Sequence, residues 1–238
     1  MRIIALHGQL GLASDWDNIK GQLSSFGHDL EAVDLWSFLE KKKLSMADFG
    51  KEINQLEKGS DKEVLLGYSM GGRLALHALL DDPSRWKMAI IVSAHSGLAE
   101  EDRSGRRMND DVWQKKVENL PWSELLDQWN GQGVLANNMM PERESLESRR
   151  SEVARSFACW SLAEQENLIT QLADIDLPVL FITGATDEKF TMQGQLFKEG
   201  MKRADLCVIS GTGHRVPWEA EEDFIRIVSE WINVQAKV

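Results

Sequence analysis

Ser69, Asp187 and His214 are the residues whose types and settings in this sequence could do chemistry together. Ser69 stands in Gly67-Tyr68-Ser69-Met70-Gly71-Gly72-Arg73, after an apolar run and before a helical pattern. That is the setting of a serine on a sharp strand-to-helix turn, where a side chain at either flanking glycine would collide with the strand or helix beside it. The Gly-x-Ser-x-Gly pentapeptide alone arises by chance in roughly one chain in twelve of this length. Asp187 follows Thr183-Gly184-Ala185-Thr186, and His214 closes Gly211-Thr212-Gly213-His214, each just after an apolar run. A serine hydroxyl is a poor nucleophile or base until a histidine takes its proton. An aspartate fixes the imidazole tautomer and stabilises its charged form. An oxyanion hole needs two backbone N–H donors, for which the candidates are Met70, at the helix start, and Gln9, after His7-Gly8. His7 reads as shaping that loop, and His95, at a strand end, as pocket lining. Asp34 and Asp174 do not follow a strand in the position an acid partner would need.

The elements that must position these residues alternate. Short apolar runs at Ile3–His7, His28–Leu35, Glu63–Leu66, Lys87–Ser93, Pro178–Thr183 and Leu206–Ile209 read as strands. Helical spacing marks Trp16–Leu23, Met46–Lys58 (ended by Gly59-Ser60), Met70–Leu80, a stretch after Phe190, and Glu219–Gln235. Strand–helix alternation of this kind predicts an α/β fold, a parallel sheet of about six strands with helices on both faces. The alternation breaks from Ser96 to about Leu172, a helical stretch rich in charge, tryptophan and arginine. The predicted organisation is a core of residues 1–95 and 173–238 with a helical cap, residues 96–172, inserted after the fourth strand. In such sheets ligands bind at the carboxyl ends of the strands, where the cap would sit.

Composition narrows the function classes. The 238 residues carry a net charge of −11, which argues against a nucleic-acid or anionic-membrane surface. Cys159 and Cys207 are the two cysteines, too few for a disulfide framework and without metal-ligand spacing, so a reducing, cytoplasmic setting is expected. The apolar run that begins the chain is too short for a signal peptide. Neither cofactor nor metal is expected, and the chain reads as a monomer or homodimer.

With these residues in place, the chain resembles the α/β-hydrolase fold superfamily over essentially its full length, which has the chain order Ser, Asp, His. Within it the sequence is similar to the 2-succinyl-6-hydroxy-2,4-cyclohexadiene-1-carboxylate (SHCHC) synthase family of menaquinone and phylloquinone biosynthesis. The matching stretches are the serine turn with Arg73, then His95-Ser96-Gly97-Leu98 followed by arginines, and Trp113-Gln114. Further on come Gln128-Trp129 leading to Gln132-Gly133-Val134-Leu135, then Ala154-Arg155-Ser156, and Gly184 to Phe190. The resemblance implies a lyase that removes pyruvate from an enolpyruvyl cyclohexene dicarboxylate, with Ser69 as base. A small anionic carboxylate substrate would be bound by Tyr68, Arg73, Arg106, Arg155, Trp129 and His95, the arginines holding carboxylates through charge-assisted bonds. Residues 99–156 hold nine Lys/Arg against twelve Asp/Glu, so the cap is not basic overall. The chain departs from the family in having Asp34-Leu35-Trp36-Ser37 where a Pro-Gly-His-Gly loop is usual, and Gln9 where bulky apolar residues are common. It also starts one residue before its first strand, without the usual amino-terminal hairpin strands. The alternative is a serine hydrolase, a carboxylesterase, thioesterase or carbon–carbon bond hydrolase, working through an acyl-enzyme at Ser69. A binding protein that kept the fold would have no need of all three residues.

Overall fold

Six strands lie side by side, the four inner ones buried on both faces and the two edge strands partly exposed. They are β1 (Arg2–Leu6), β2 (Asp29–Val33), β3 (Glu63–Tyr68), β4 (Trp86–Val92), β5 (Val179–Gly184) and β6 (Ala204–Ile209). The computed structural model describes residues 1–40, 42–57, 63–133, 135 and 143–237. All five strand pairs are parallel, in the order β2-β1-β3-β4-β5-β6. Parallel strands covered on both faces read as near-continuous apolar runs. Alternate residues do divide between two cores: Ile3, Val64, Leu66, Ile90 and Ile182 face one way, and Ile4, Leu65, Ile91 and Phe181 the other.

Ten helices complete the described chain: α1 (Asp17–Ser25), α2 (Met46–Asn54), α3 (Met70–Asp81), α4 (Glu100–Asn119), α5 (Trp122–Asn130), α6 (Arg150–Cys159), α7 (Ile169–Leu172), α8 (Glu188–Gly200), α9 (Val216–Glu219) and α10 (Glu221–Gln235), with short 3-10 turns between some of them. Helices α1 and α10 cover one face through Ile19, Leu23, Phe224, Val228 and Ile232. Helices α2, α3 and α8 cover the other.

Helix α1 runs Asp17–Ser25 rather than Trp16–Leu23, and α8 opens at Glu188 rather than after Phe190; two further boundaries differ because of contacts made far along the chain. Helix α2 ends at Asn54 rather than Lys58, and tightens there into i to i+3 bonds at Gln55 and Leu56. Asn54 turns inward, accepting from Trp86 Nε1 at 2.8 Å and donating to the Ala78 carbonyl at 2.9 Å. Lys58, Gly59 and Ser60 lie outside the described residues. The expected final helix is two, broken at Ala220 (φ −135, ψ 55); Glu219 belongs to the short turn α9, where its carboxylate faces a neighbouring loop.

Between β4 and β5 the described chain is helical, with α4 packed along α6. Its tryptophans do not form a separate core. Trp113, Trp122, Trp160 and Phe157 belong to the same buried cluster as Phe49, Leu74 and Phe181 beneath them, so the cap rests on the α2–α3 side of the sheet. Among the described residues no helix is long and apolar enough to cross a membrane.

Candidate active site

Strand β3 runs into α3 with a single residue between them, and the backbone pays for so tight a turn with strain. Ser69 has φ 53 and ψ −111, a region L-residues rarely occupy. The glycines make the turn possible: a Cβ on Gly67 would lie 2.5 Å from the Gly71 carbonyl oxygen, and one on Gly71 would lie 2.4 Å from that of Leu6. The turn is pinned by Ser69 N–H donating to the Val92 carbonyl at 2.8 Å. The half-buried side chain is left standing at the strand end.

The other two residues arrive on loops after β5 and β6. Ala185 N donates to the Ile209 carbonyl at 2.9 Å, and Thr186 N donates to that of Thr212 at 2.9 Å. These bonds clamp the two loops together. His214 Nδ1 is 2.7 Å from Asp187 Oδ2, and His214 Nε2 is 3.1 Å from Ser69 Oγ. An ionised Asp187 accepts from Nδ1–H, which leaves the Nε2 lone pair facing the serine hydroxyl, the geometry of an activated nucleophile or base. Asp187 and His214 are buried. The imidazole is framed by Phe190 at 4.5 Å and Tyr68 at 5.5 Å between ring centroids. Glu219 holds its loop: one carboxylate oxygen accepts from Gly213 N at 2.5 Å and the other from Arg215 N at 2.7 Å.

Ser69 opens into a cavity of about 250 Å³ between the strand ends and the cap. Of the residues singled out from the sequence, Gln9, Tyr68, Met70, Arg73, His95, Arg106, Trp129 and His214 line it with Ser69, while Asp187 stands behind His214. Arg155 does not line it; its Nη1 is buried without a hydrogen-bond partner among the described residues. The Gln9 side chain donates to Ser156 Oγ at 2.7 Å, tying the loop after β1 to α6. His7 braces that loop from below, its Nδ1 2.9 Å from the Gly8 carbonyl and its Nε2 accepting from Leu35 N at 3.3 Å. Burial, and then Arg143, push the His7 imidazole down to about 4, so it stays neutral.

One wall is aromatic: Trp129 stands edge-on to Trp113 at 5.0 Å and to Phe157 at 5.9 Å. The opposite character comes from cations. Arg73, one helical turn beyond Ser69, is buried and donates to the Trp160 carbonyl at 2.7 Å and to Met46 Sδ at 3.1 Å. Burial, and then the field of Arg106, push its guanidinium below the ordinary arginine range. Arg106 is gripped by both oxygens of Asp110, at 2.9 and 2.8 Å, and Asp110 is itself bonded by Ser161 Oγ at 2.5 Å. His95 is pushed down to about 3, first by burial and then by Lys189, Arg73 and Arg106. Burial raises the Tyr68 phenol, against the opposing pull of Arg215.

Residues that the sequence did not single out complete the cavity. Lys189 lies two positions after Asp187, a signal that was available locally. Arg143 and Arg215 also line it. Arg143 is held by Asp15 through bonds of 2.6 and 2.8 Å, a pairing across 128 residues that no local spacing announces. Among the described residues no group of three or more His, Cys, Asp or Glu is placed to hold a metal ion.

Residues 3–227 match the model of the Alpha/beta hydrolase family. The chain is 30% identical over 200 residues to the 2-succinyl-6-hydroxy-2,4-cyclohexadiene-1-carboxylate synthase of Pectobacterium atrosepticum, covering 79% of this chain and 78% of that protein. It is 31% identical over 206 residues to the synthase of the same name from Serratia proteamaculans, covering 79% and 78%. Among solved structures, MenH from S. aureus superposes with a TM-score of 0.87 at 19% identity, covering 99% of this chain and 94% of that one, a likeness of fold. With its parallel sheet, its serine turn and this match over nearly its whole length, the chain belongs to the alpha/beta hydrolase enzyme family and, within it, is similar to the SHCHC synthases.

Proposed function

We propose that the chain is a lyase that eliminates pyruvate from an enolpyruvyl cyclohexene dicarboxylate, as an SHCHC synthase. The observation that carries this reading is Arg73: a buried cation one turn from Ser69, bonded to a carbonyl and a sulfur rather than to a carboxylate, in a cavity shared with Arg106 and Lys189. Buried charges are normally paired, and an anionic substrate would supply the missing partner. A neutral ester would not.

In this reading His214 takes the proton of Ser69, and the serine oxygen takes a proton from a ring carbon of the substrate. The C–H electron pair moves through the ring, a new C=C bond forms, and the C–O bond to the enolpyruvyl group breaks. Pyruvate leaves as its enolate and takes a proton. The backbone N–H groups of Gln9 and Met70 would face the charge that builds on the substrate carbonyl. Asp187 keeps the imidazolium stable through the step.

The test is a pyruvate-release assay on the purified protein with the enolpyruvyl substrate. Triad-dependent release, lost in Ser69→Ala, is expected; no release by well-folded protein overturns the reading. The second reading, a serine hydrolase, is favoured by the same 3.1 Å contact between Ser69 and His214. It would show as a burst with an activated ester and an acyl adduct on Ser69 by intact mass.

A further inference from the structure

Among the described residues five Lys or Arg side chains line the cavity, and four of them already donate hydrogen bonds within the protein. Arg73 donates to Trp160 and Met46, Arg106 to Asp110, Arg143 to Asp15, and Arg215 to Asn130 Oδ1 at 3.0 Å. Lys189 is the exception. Its ammonium makes no hydrogen bond or ion pair with any described residue; its contact is with the face of Phe190, 5.6 Å to the ring centroid. Asp187, two residues before it, is committed to His214.

Lys189 stands in the first turn of α8 and stays solvent-accessible where it lines the cavity. Burial, and then the field of Arg106 against the opposing pull of Asp187, hold its ammonium below the ordinary lysine range. Lys189, and then Arg73 and Arg106, also act on His95, which lines the same cavity. Asp110 is taken by Arg106 and Asp187 by His214, so among the described residues no carboxylate is bonded to the Lys189 ammonium. A carboxylate arriving at Arg143 would have to compete with Asp15, whereas one arriving at Lys189 displaces no protein partner. A compact, strongly hydrated ammonium on a flexible stem suits a carboxylate carried on a mobile arm.

We infer that Lys189, with Arg106, anchors a terminal carboxylate of the substrate at the outer side of the cavity, leaving the deeper Arg73 for another. This deepens the lyase reading and rests on it for the identity of the substrate. Two parts of that substrate carry such a carboxylate: the departing enolpyruvyl group and the succinyl arm.

The experiment titrates the tryptophan fluorescence of the protein, since Trp113, Trp129 and Trp160 line the cavity, with pyruvate, succinate and the neutral succinamide. Wild type, Lys189→Gln and Lys189→Arg are compared, with melting curves to confirm folding. One of the two acids is expected to bind wild type about tenfold more tightly than Lys189→Gln, the loss of one charge-assisted bond. Lys189→Arg should retain most of that affinity, and succinamide should not distinguish the three. Preference for pyruvate assigns the anchor to the leaving group, and preference for succinate assigns it to the side arm. Equal affinities of wild type and Lys189→Gln, or no saturable binding of either acid to wild type, overturn the inference. This readout needs no turnover, so it stands apart from failure of the lyase reading. Where pyruvate is released, Lys189→Gln should raise KM about tenfold with kcat within about twofold.

Discussion

A Cβ placed on Gly184 would stand 2.1 Å from the carbonyl oxygen of Gly213. The end of β5 and the loop that carries His214 therefore meet backbone to backbone, and the 2.7 Å bond between Asp187 and His214 depends on that contact. Gly184→Ala must push the loops apart by an ångström or more. The expected outcome is a fall in kcat of about a hundredfold with KM little changed, checked by steady-state kinetics on protein whose circular dichroism matches wild type.

Glu219 accepts from the N–H groups on either side of His214. In Glu219→Ala both donors lose their acceptor and the imidazole loses its fixed approach to Ser69, so kcat should fall about tenfold while KM holds. Glu219→Gln keeps one good acceptor and should fall less. Equal kcat in all three proteins would show that α9 and the neighbouring loops position His214 without this carboxylate.

Arg73 and Arg155 make a contrasting pair. Arg73 lines the cavity and also supports the cap at Trp160. Arg73→Lys keeps the charge but loses the two-sided fork, and should cut kcat/KM on the carboxylated substrate by about tenfold or more. Its loss on a neutral ester should be far smaller. Arg155→Met removes a buried Nη1 that has no partner among the described residues. It should change kcat/KM less than about threefold and leave the melting temperature level or raised.

His7 gives stability a pH dependence of definite sign. Its folded pKa is pushed down to about 4 from an ordinary 6.5, so between those values the unfolded chain binds a proton that the folded chain refuses. Stability then rises with pH through this window and is lost as pH falls below about 6.5. One such group weakens the fold by about 2 kcal/mol between pH 7 and pH 5. Urea unfolding across that range should show a flatter profile for His7→Gln than for wild type; parallel profiles would remove His7 from the acid sensitivity.

Much of this was legible in the residues themselves because it is local. A serine between Gly67 and Gly71 after an apolar run and before a helical pattern marks a strand-to-helix turn, and the acidic and histidine loops follow their strands directly. Apolar runs without alternation are what parallel strands covered on both faces require, so the sheet could be read, although the end of α2 and the break at Ala220 could not. Those ends are set by Asn54 reaching Trp86 and Glu219 reaching the His214 loop, contacts between distant parts of the chain. The sequence likewise offered Arg106 and Arg155 as equals. Packing separated them, turning Arg106 to the cavity with Asp110 and leaving Arg155 outside it. Arg143 and Arg215 joined the site unannounced, and Lys189 only through its place beside Asp187. Spacing along one strand or helix fixes which residues share a turn or a face, and so the sequence determined the order and the strand-end settings of Ser69, Asp187 and His214. The charge that surrounds them is gathered from α3, α4, α8 and the cap, and only the tertiary structure decided it, because burial and long-range contact are properties of the packed chain.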